Sequence, residues 1–218
     1  MKVGLIPAAF GAILIAFCAA CDLPSASEVY IADPDTTTIT QNSTLFSKGE
    51  QSGNETLSFK TNDKTYMNDG KGSTLWTVQT NYSEQKFEAI TVEAIKASGN
   101  TLGGYGIVFC IQGNRMLCVL INGERKYAIG KITDGRYKKL REWRSSSHLH
   151  QGTITNRIGI VKDGNNFVLS FNGEEETRFS DSIAPRLAFG NTGYVVIVSP
   201  NEDFPKNPVD VRFTKIKM

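Results

Sequence analysis

The sequence predicts an all-β protein, an antiparallel sandwich or barrel. Three observations carry that expectation. Short runs of β-branched and aromatic residues recur from about residue 56 onward. Turn dipeptides punctuate them: Asn122-Gly123, Asp134-Gly135, Asp163-Gly164 and Asn172-Gly173. Such pairs tolerate the positive φ that two-residue hairpin turns require. No long segment carries the 3.6-residue apolar period of an amphipathic helix.

Taken in order, the strands differ in how many faces they bury. Residues 104–111 and 116–121 are apolar on both faces. Such strands belong in the middle of a sheet covered on both sides, or on a shielded surface. Residues 126–133, 157–161 and 166–171 follow. Phe167, Leu169 and Phe171 alternate with Val168 and Ser170, and Val209, Val211 and Phe213 with Asp210, Arg212 and Thr214. That period of two means one buried face and one wet face. Trp76 and Tyr105 are expected in the core.

Cys110 and Cys118 flank the turn between the two apolar strands, and two registers are open. With a three-residue loop at 113–115, the cysteines fall opposite each other on one face, within reach of a disulfide. With a two-residue Gly113-Asn114 turn, the register shifts and separates them as buried thiols.

Residues 53–218 read as one domain without internal repeats. A chain of about 165 residues buries about 70% of its unfolded surface, enough for a real core. Residues 21–52 are rich in Ser, Thr, Asp, Asn and Pro and thin in apolar residues. They read as a tether with an r.m.s. reach of about 30 Å.

The first 20 residues read as an export signal. Lys2 is followed by an apolar run through Phe17 and by small residues at 18–20. The run is about 15 residues, short of the roughly 20 that span a bilayer. No transmembrane segment is expected in the mature chain. Ending Ala19-Ala20-Cys21, the leader resembles the lipobox of bacterial lipoproteins, although Cys18 stands where Leu is usual. The resemblance implies cleavage before Cys21, acylation of Cys21 and a place in the cell envelope, periplasmic or surface-exposed. Two or three acyl chains anchor firmly, where one holds marginally. Ordinary cleavage and free secretion is the alternative. Cysteine parity fits lipidation: Cys18 leaves, Cys21 is acylated, and Cys110 and Cys118 remain.

The formal net charge is +2, or +1 without Lys2. This balance argues against a nucleic-acid partner. Gly104-Tyr105-Gly106 leads into a strand, so it is no phosphate cradle. No Gly-x-Ser-x-Gly elbow occurs, and no cofactor is expected. His148 and His150 have no carboxylate or cysteine close in sequence and read as loop residues rather than a metal pair. Glycosidases need two carboxylates about 5–9 Å apart. Glu88 and Glu93 are five residues apart, on opposite faces of a strand. Glu174, Glu175 and Glu176 follow a hairpin turn and read as a solvated edge. The sequons at Asn42, Asn54 and Asn81 are taken as chance.

Residues 136–144 form the one dense patch of basic and aromatic side chains. A regular strand would put Tyr137, Lys139, Arg141 and Trp143 on one face. Rings stack on sugars, and cations pair with carboxylate or sulfate groups, so these four form the candidate ligand site. The bland reading is a solvated outer strand, with Trp143 capping the core.

Landmarks from Phe87 to the C-terminus come in a recognisable order. They are Tyr105-Gly106-Ile107-Val108-Phe109, Tyr127-Ala128-Ile129-Gly130-Lys131, Trp143, Gly152, Asn156-Arg157-Ile158, Phe171-Asn172-Gly173, Gly193 and Val211-Arg212-Phe213. Together they resemble bacterial concanavalin A-like, laminin-G-like jelly rolls. The resemblance implies two curved antiparallel sheets. Relatives bind glycans or proteins on a concave face or rim loops, and a minority hydrolyse glycosidic bonds. The Glu-x-Asp-x-x-Glu motif of the glucanases with this fold is absent. The expectation is therefore a lipid-anchored, non-catalytic protein that binds a carbohydrate or an envelope or host protein. A glycoside hydrolase and a purely structural envelope protein are the alternatives.

Overall fold

The computed structural model describes residues 33–79, 87–181 and 190–216. The expected leader, Cys21, the start of the tether and the sequon at Asn81 lie outside the described residues. Among the described residues, no helix is long and apolar enough to cross a membrane.

Fourteen strands are described. They are β1 Thr38–Gln41, β2 Phe46–Gln51, β3 Asn54–Thr61, β4 Ser73–Val78, β5 Ala89–Ser98, β6 Tyr105–Gln112 and β7 Arg115–Ile121. They continue with β8 Lys126–Thr133, β9 Arg136–Ser145, β10 Asn156–Asp163, β11 Asn166–Phe171, β12 Glu174–Phe179, β13 Thr192–Val198 and β14 Val209–Lys215. The first sheet has the order β1-β4-β13-β6-β7-β8-β9, and the second β12-β11-β10-β5-β14-β3-β2. Described pairings are antiparallel, except that β1 runs parallel to β4 at one edge.

The inner faces of the two sheets form one core. Val92 and Ala94 from β5, Ile158 and Ile160 from β10, and Phe167, Leu169 and Phe171 from β11 meet Tyr105, Ile107, Phe109, Leu117, Val119 and Ile121 from β6 and β7. Aromatic rings lock the layers: Phe109 meets Phe167 edge-on at 5.2 Å, and Tyr194 stacks on Phe213 at 4.4 Å. Close strand approach needs glycine at Gly193, where a Cβ would stand 1.8 Å from the Thr77 carbonyl oxygen.

The two strands apolar on both faces are central in the first sheet, as their composition requires. Their outward residues Val108, Ile111, Met116, Cys118 and Leu120 join a second apolar cluster with Trp76, Ile132, Val195 and Ile197. This cluster covers the outer face of the first sheet. Tyr105 is fully buried in the main core.

The turns follow their chemistry with two adjustments. Asp134-Gly135 and Asn172-Gly173 have positive φ at both residues, as a two-residue hairpin turn demands. Asp163 instead closes β10, pairing with Asn166 across Gly164-Asn165. Asn122 opens a four-residue loop, its Oδ1 accepting from the backbone N–H groups of Glu124 and Lys126 at 3.0 and 3.1 Å.

Two expectations are corrected. The tether does not extend to residue 52. β2 pairs with β3 and β1 with β4, so residues 38–41 and 46–51 belong to the sheets. Phe46 is the reason: it is buried against Phe59 at a ring distance of 5.1 Å. The second correction is the disulfide. Gln112 pairs with Arg115 across a two-residue Gly113-Asn114 turn, and a bulge follows at Cys110 and Ile111. Cys118 lies opposite Val108 on the outer face, while Cys110, at φ 52°, packs into the main core. Both are free, buried thiols.

Candidate functional site

β9 is an edge strand of the first sheet, and its pairing with β8 is interrupted twice. Ile132 pairs with Tyr137 and Gly130 with Lys139, but Ile129 pairs with Arg141 and Tyr127 with Arg144. Each irregularity inserts a residue and flips the faces that follow. Tyr137 and Lys139 therefore stand opposite outward positions, and Trp143 also packs with the outer cluster. Arg141 stands opposite Ile129, on the core side. The structure brings together three of the four expected residues and separates the fourth.

On the outer face, Tyr137 lies over Gly130, where a Cβ would fall 2.3 Å from the ring. Trp143 lies against Gly104, its ring 3.1 Å from the position of a Cβ there. The Tyr137 hydroxyl and the Trp143 Nε1 are buried without a hydrogen-bond partner among the described residues. Burial pushes the Tyr137 hydroxyl far above the usual phenol range.

Lys139 is held by carboxylates. Its Nζ lies 2.7 Å from Asp33, 3.1 Å from Asp35 and 3.3 Å from Glu142. The bond to Asp33 raises the Lys139 ammonium above the usual lysine range, while burial raises the Asp33 carboxyl. Pro34 between them is buried. The Asp33 carbonyl accepts from the Thr36 amide, and the Thr37 hydroxyl reaches Thr74 on β4. Residues 33–37 thus form a strap from β9 toward β4. Nothing in the local sequence pattern around Asp33 signals this contact, which depends on the sheet bringing β9 within reach.

Two cavities border this region. The first, about 200 Å³, is lined by Ile39, Trp76, Met116 and Ile132 with the polar side chains of Gln41, Asn114 and Asp134. Trp76, expected in the core, is 5% exposed and belongs to the outer cluster. The second, about 470 Å³, runs between β9 and β12, the edges of the two sheets. Arg141, Arg144, Arg178, Asn166 and Ser180 line it over Leu140 and Phe179. Arg178 is held by Asp163 at 2.6 Å and Glu175 at 3.0 Å, and Arg141 donates to its carbonyl oxygen at 2.8 Å.

The remaining candidates are dispersed. Glu88 precedes β5, and Glu93, on the outward face of the second sheet, pairs with Arg157 at 2.7 Å. Glu174 and Glu175 are exposed, but Glu176 accepts from the Ser146 hydroxyl at 2.5 Å and lies 3.1 Å from His148 Nδ1. His150 Nδ1 lies 3.0 Å from the Thr155 carbonyl oxygen, and Leu149 between the histidines enters the core. Among the described residues, no group of three or more His, Cys, Asp or Glu is placed to hold a metal ion.

No family model matches the chain, and no curated protein matches it. Solved structures do. A native glycosidic hydrolase is 9% identical, with a TM-score of 0.53 over 84% of this chain and 85% of that one. A prokaryotic β-1,3-1,4-glucanase (lichenase) from a mouse hindgut metagenome is 11% identical, with a TM-score of 0.50 over 84% and 88%. A carbohydrate-binding module from Bacillus subtilis is 10% identical, with a TM-score of 0.46 over 79% and 95%. The chain has the concanavalin A-like lectin and glucanase fold. At these identities the likeness ends at the fold.

Proposed function

We propose that this chain is an exported, lipid-anchored protein of the bacterial cell envelope whose domain binds carbohydrate without cleaving it. The observation that carries the reading is the cavity at Trp76. It combines an indole and aliphatic walls with the amides of Gln41 and Asn114 and the carboxylate of Asp134. Apolar walls with a few convergent polar groups are the composition of a small-ligand site, and sugars need both kinds of surface.

Absence of catalysis is supported by where the carboxylates lie. Among the described residues, the strands of the first sheet carry one carboxylate, Glu142, which is exposed at the edge. Glu88 and Glu93 belong to the other sheet's side of the sandwich. Anchoring is supported by the leader and by Ala19-Ala20-Cys21.

A glycan array probed with residues 22–218 tests binding. Hits on neutral glycans are expected, weakened by Gln41→Ala and by Asp134→Asn with the melting temperature unchanged. Asn is chosen because Asp134 sits at φ 50°. An array without hits refutes the reading, and release of reducing sugar from any bound glycan refutes its non-catalytic half. Fatty-acid labelling that depends on Cys21 tests the anchor. Export of an unacylated product overturns it.

A further inference from the structure

The two irregularities in β9 leave a basic groove on the core side of that strand. Arg141 and Arg144 both line it, and Arg178 faces them from β12. Arg178 has two carboxylates of its own. Among the described residues, the Arg141 and Arg144 side chains make no ion pair, and the Arg144 side chain makes no hydrogen bond. Lys138, opposite Lys131 on the same side of β9, extends the positive stripe. Glu176 is occupied by the Ser146 hydroxyl and lies against His148, and Asp181, next to Ser180, is paired with Lys131 at 2.9 Å. The groove thus offers two guanidinium forks without carboxylate partners, above an apolar floor of Leu140 and Phe179. The Asn166 amide and the Ser180 hydroxyl supply neutral hydrogen-bonding groups beside them.

Guanidinium forks match the paired oxygens of carboxylate and sulfate. An acidic peptide presents the same oxygens, and such a peptide docks most readily by adding a strand to a sheet edge. Both edges resist that here. β9 is interrupted twice, which breaks the repeat that a new strand must follow. On β12, the Arg178 carbonyl already accepts from Arg141. Recognition in the groove falls to side chains, which suits hydroxyl-rich rings bearing acidic groups.

We propose that the groove between β9 and β12 is a second glycan site, selective for carboxylate- or sulfate-bearing polysaccharide through Arg141 and Arg144. This inference rests on the reading of the chain as a glycan-binding protein and adds a site remote from Trp76 in role and charge.

The test titrates residues 22–218 with polygalacturonate, chondroitin sulfate, a neutral β-glucan, polyglutamate and anionic phospholipid vesicles. Polygalacturonate or chondroitin sulfate is expected to bind, more weakly as salt rises. Arg144→Gln is expected to weaken that binding about tenfold, since it removes a charge-assisted contact. Its folding is not at stake, because the side chain makes no described hydrogen bond. Arg141→Gln serves as the second variant, with melting temperature monitored. Binding to both acidic polysaccharides that is absent, or unchanged in Arg144→Gln, overturns the proposal. Equal binding of polyglutamate or vesicles, with equal loss in the variant, also overturns it in favour of a general anion surface. Retained neutral-glycan binding in either case leaves the Trp76 reading standing, whereas loss of all glycan binding by the unsubstituted chain removes both.

Discussion

Lys96 occupies a position that strand alternation assigns to an apolar side chain. It is buried near the end of β5, 3.7 Å from Glu202 and donating to the Gly103 carbonyl oxygen at 3.2 Å. Burial, partly offset by Glu202, pushes its ammonium down to about 8. The unfolded chain, with a lysine near about 10.4, holds that proton more tightly. Between these values the unfolded state binds more protons, so the Lys96 contribution to stability rises with pH. Urea unfolding from pH 7.5 to 10 is expected to show that rise, and Lys96→Met to lose it. The same variant leaves the buried Glu202 without its counterion, held only by the Asn100 and Ser199 amides at 2.6 and 3.3 Å, at a cost of up to about 3–5 kcal/mol. An identical slope in the variant counts against the assignment. The two cysteines make a simpler case. Burial pushes both thiols up to about 12. A native-state thiol assay is expected to detect neither, a denatured one both, and reductant is expected to leave the intact mass unchanged.

At the scale of the element, β9 shows how interruptions in pairing sort one basic and aromatic strand onto two faces. An unbroken strand would place four alternate residues on one face. The breaks send Tyr137 and Lys139 outward and Arg141 inward. Gly130 makes the outward half possible by leaving room for the Tyr137 ring. Gly130→Ala must displace the Tyr137 ring and is expected to destabilise the fold by about 1–3 kcal/mol, read by thermal unfolding. The strap depends on Lys139. Lys139→Ala is expected to lower stability by only about 1 kcal/mol, since the ion pairs are partly exposed. Limited proteolysis at residues 33–37 is expected to accelerate in that variant. Unchanged cleavage there means that Pro34 and β1 hold the strap without the lysine.

At the scale of the whole molecule, the sandwich begins earlier than its composition suggests. β1 and β2 each extend one sheet, and Phe46 fills the core beside Phe59. A chain beginning at residue 53 loses both edge strands and a buried ring. Truncating a buried Phe to Ala alone costs about 3–5 kcal/mol. The shortened chain is therefore expected to melt well below one beginning at residue 33, or to aggregate through the exposed edges of β3 and β4. Equal melting temperatures would restore residues 38–51 to the tether. The Ser52-Gly53 pair was the available signal for this hairpin, with φ of 51° and 74° across the β2–β3 turn.

Alternation, two-faced apolar strands and turn dipeptides are properties of neighbouring residues, so the sequence alone determined an antiparallel all-β fold, sandwich or barrel, with β6 and β7 inside a sheet. It also determined that the histidines lie in a loop, and it left both cysteine registers standing. Which register holds, and which face each β9 side chain takes, depends on where a strand slips by one residue against its partner. Such a slip is decided by cross-strand packing, as of Tyr137 on Gly130, between residues whose contact no local pattern encodes. The same holds for Asp33 and Lys139, joined across more than one hundred residues of chain only once the sheet is assembled.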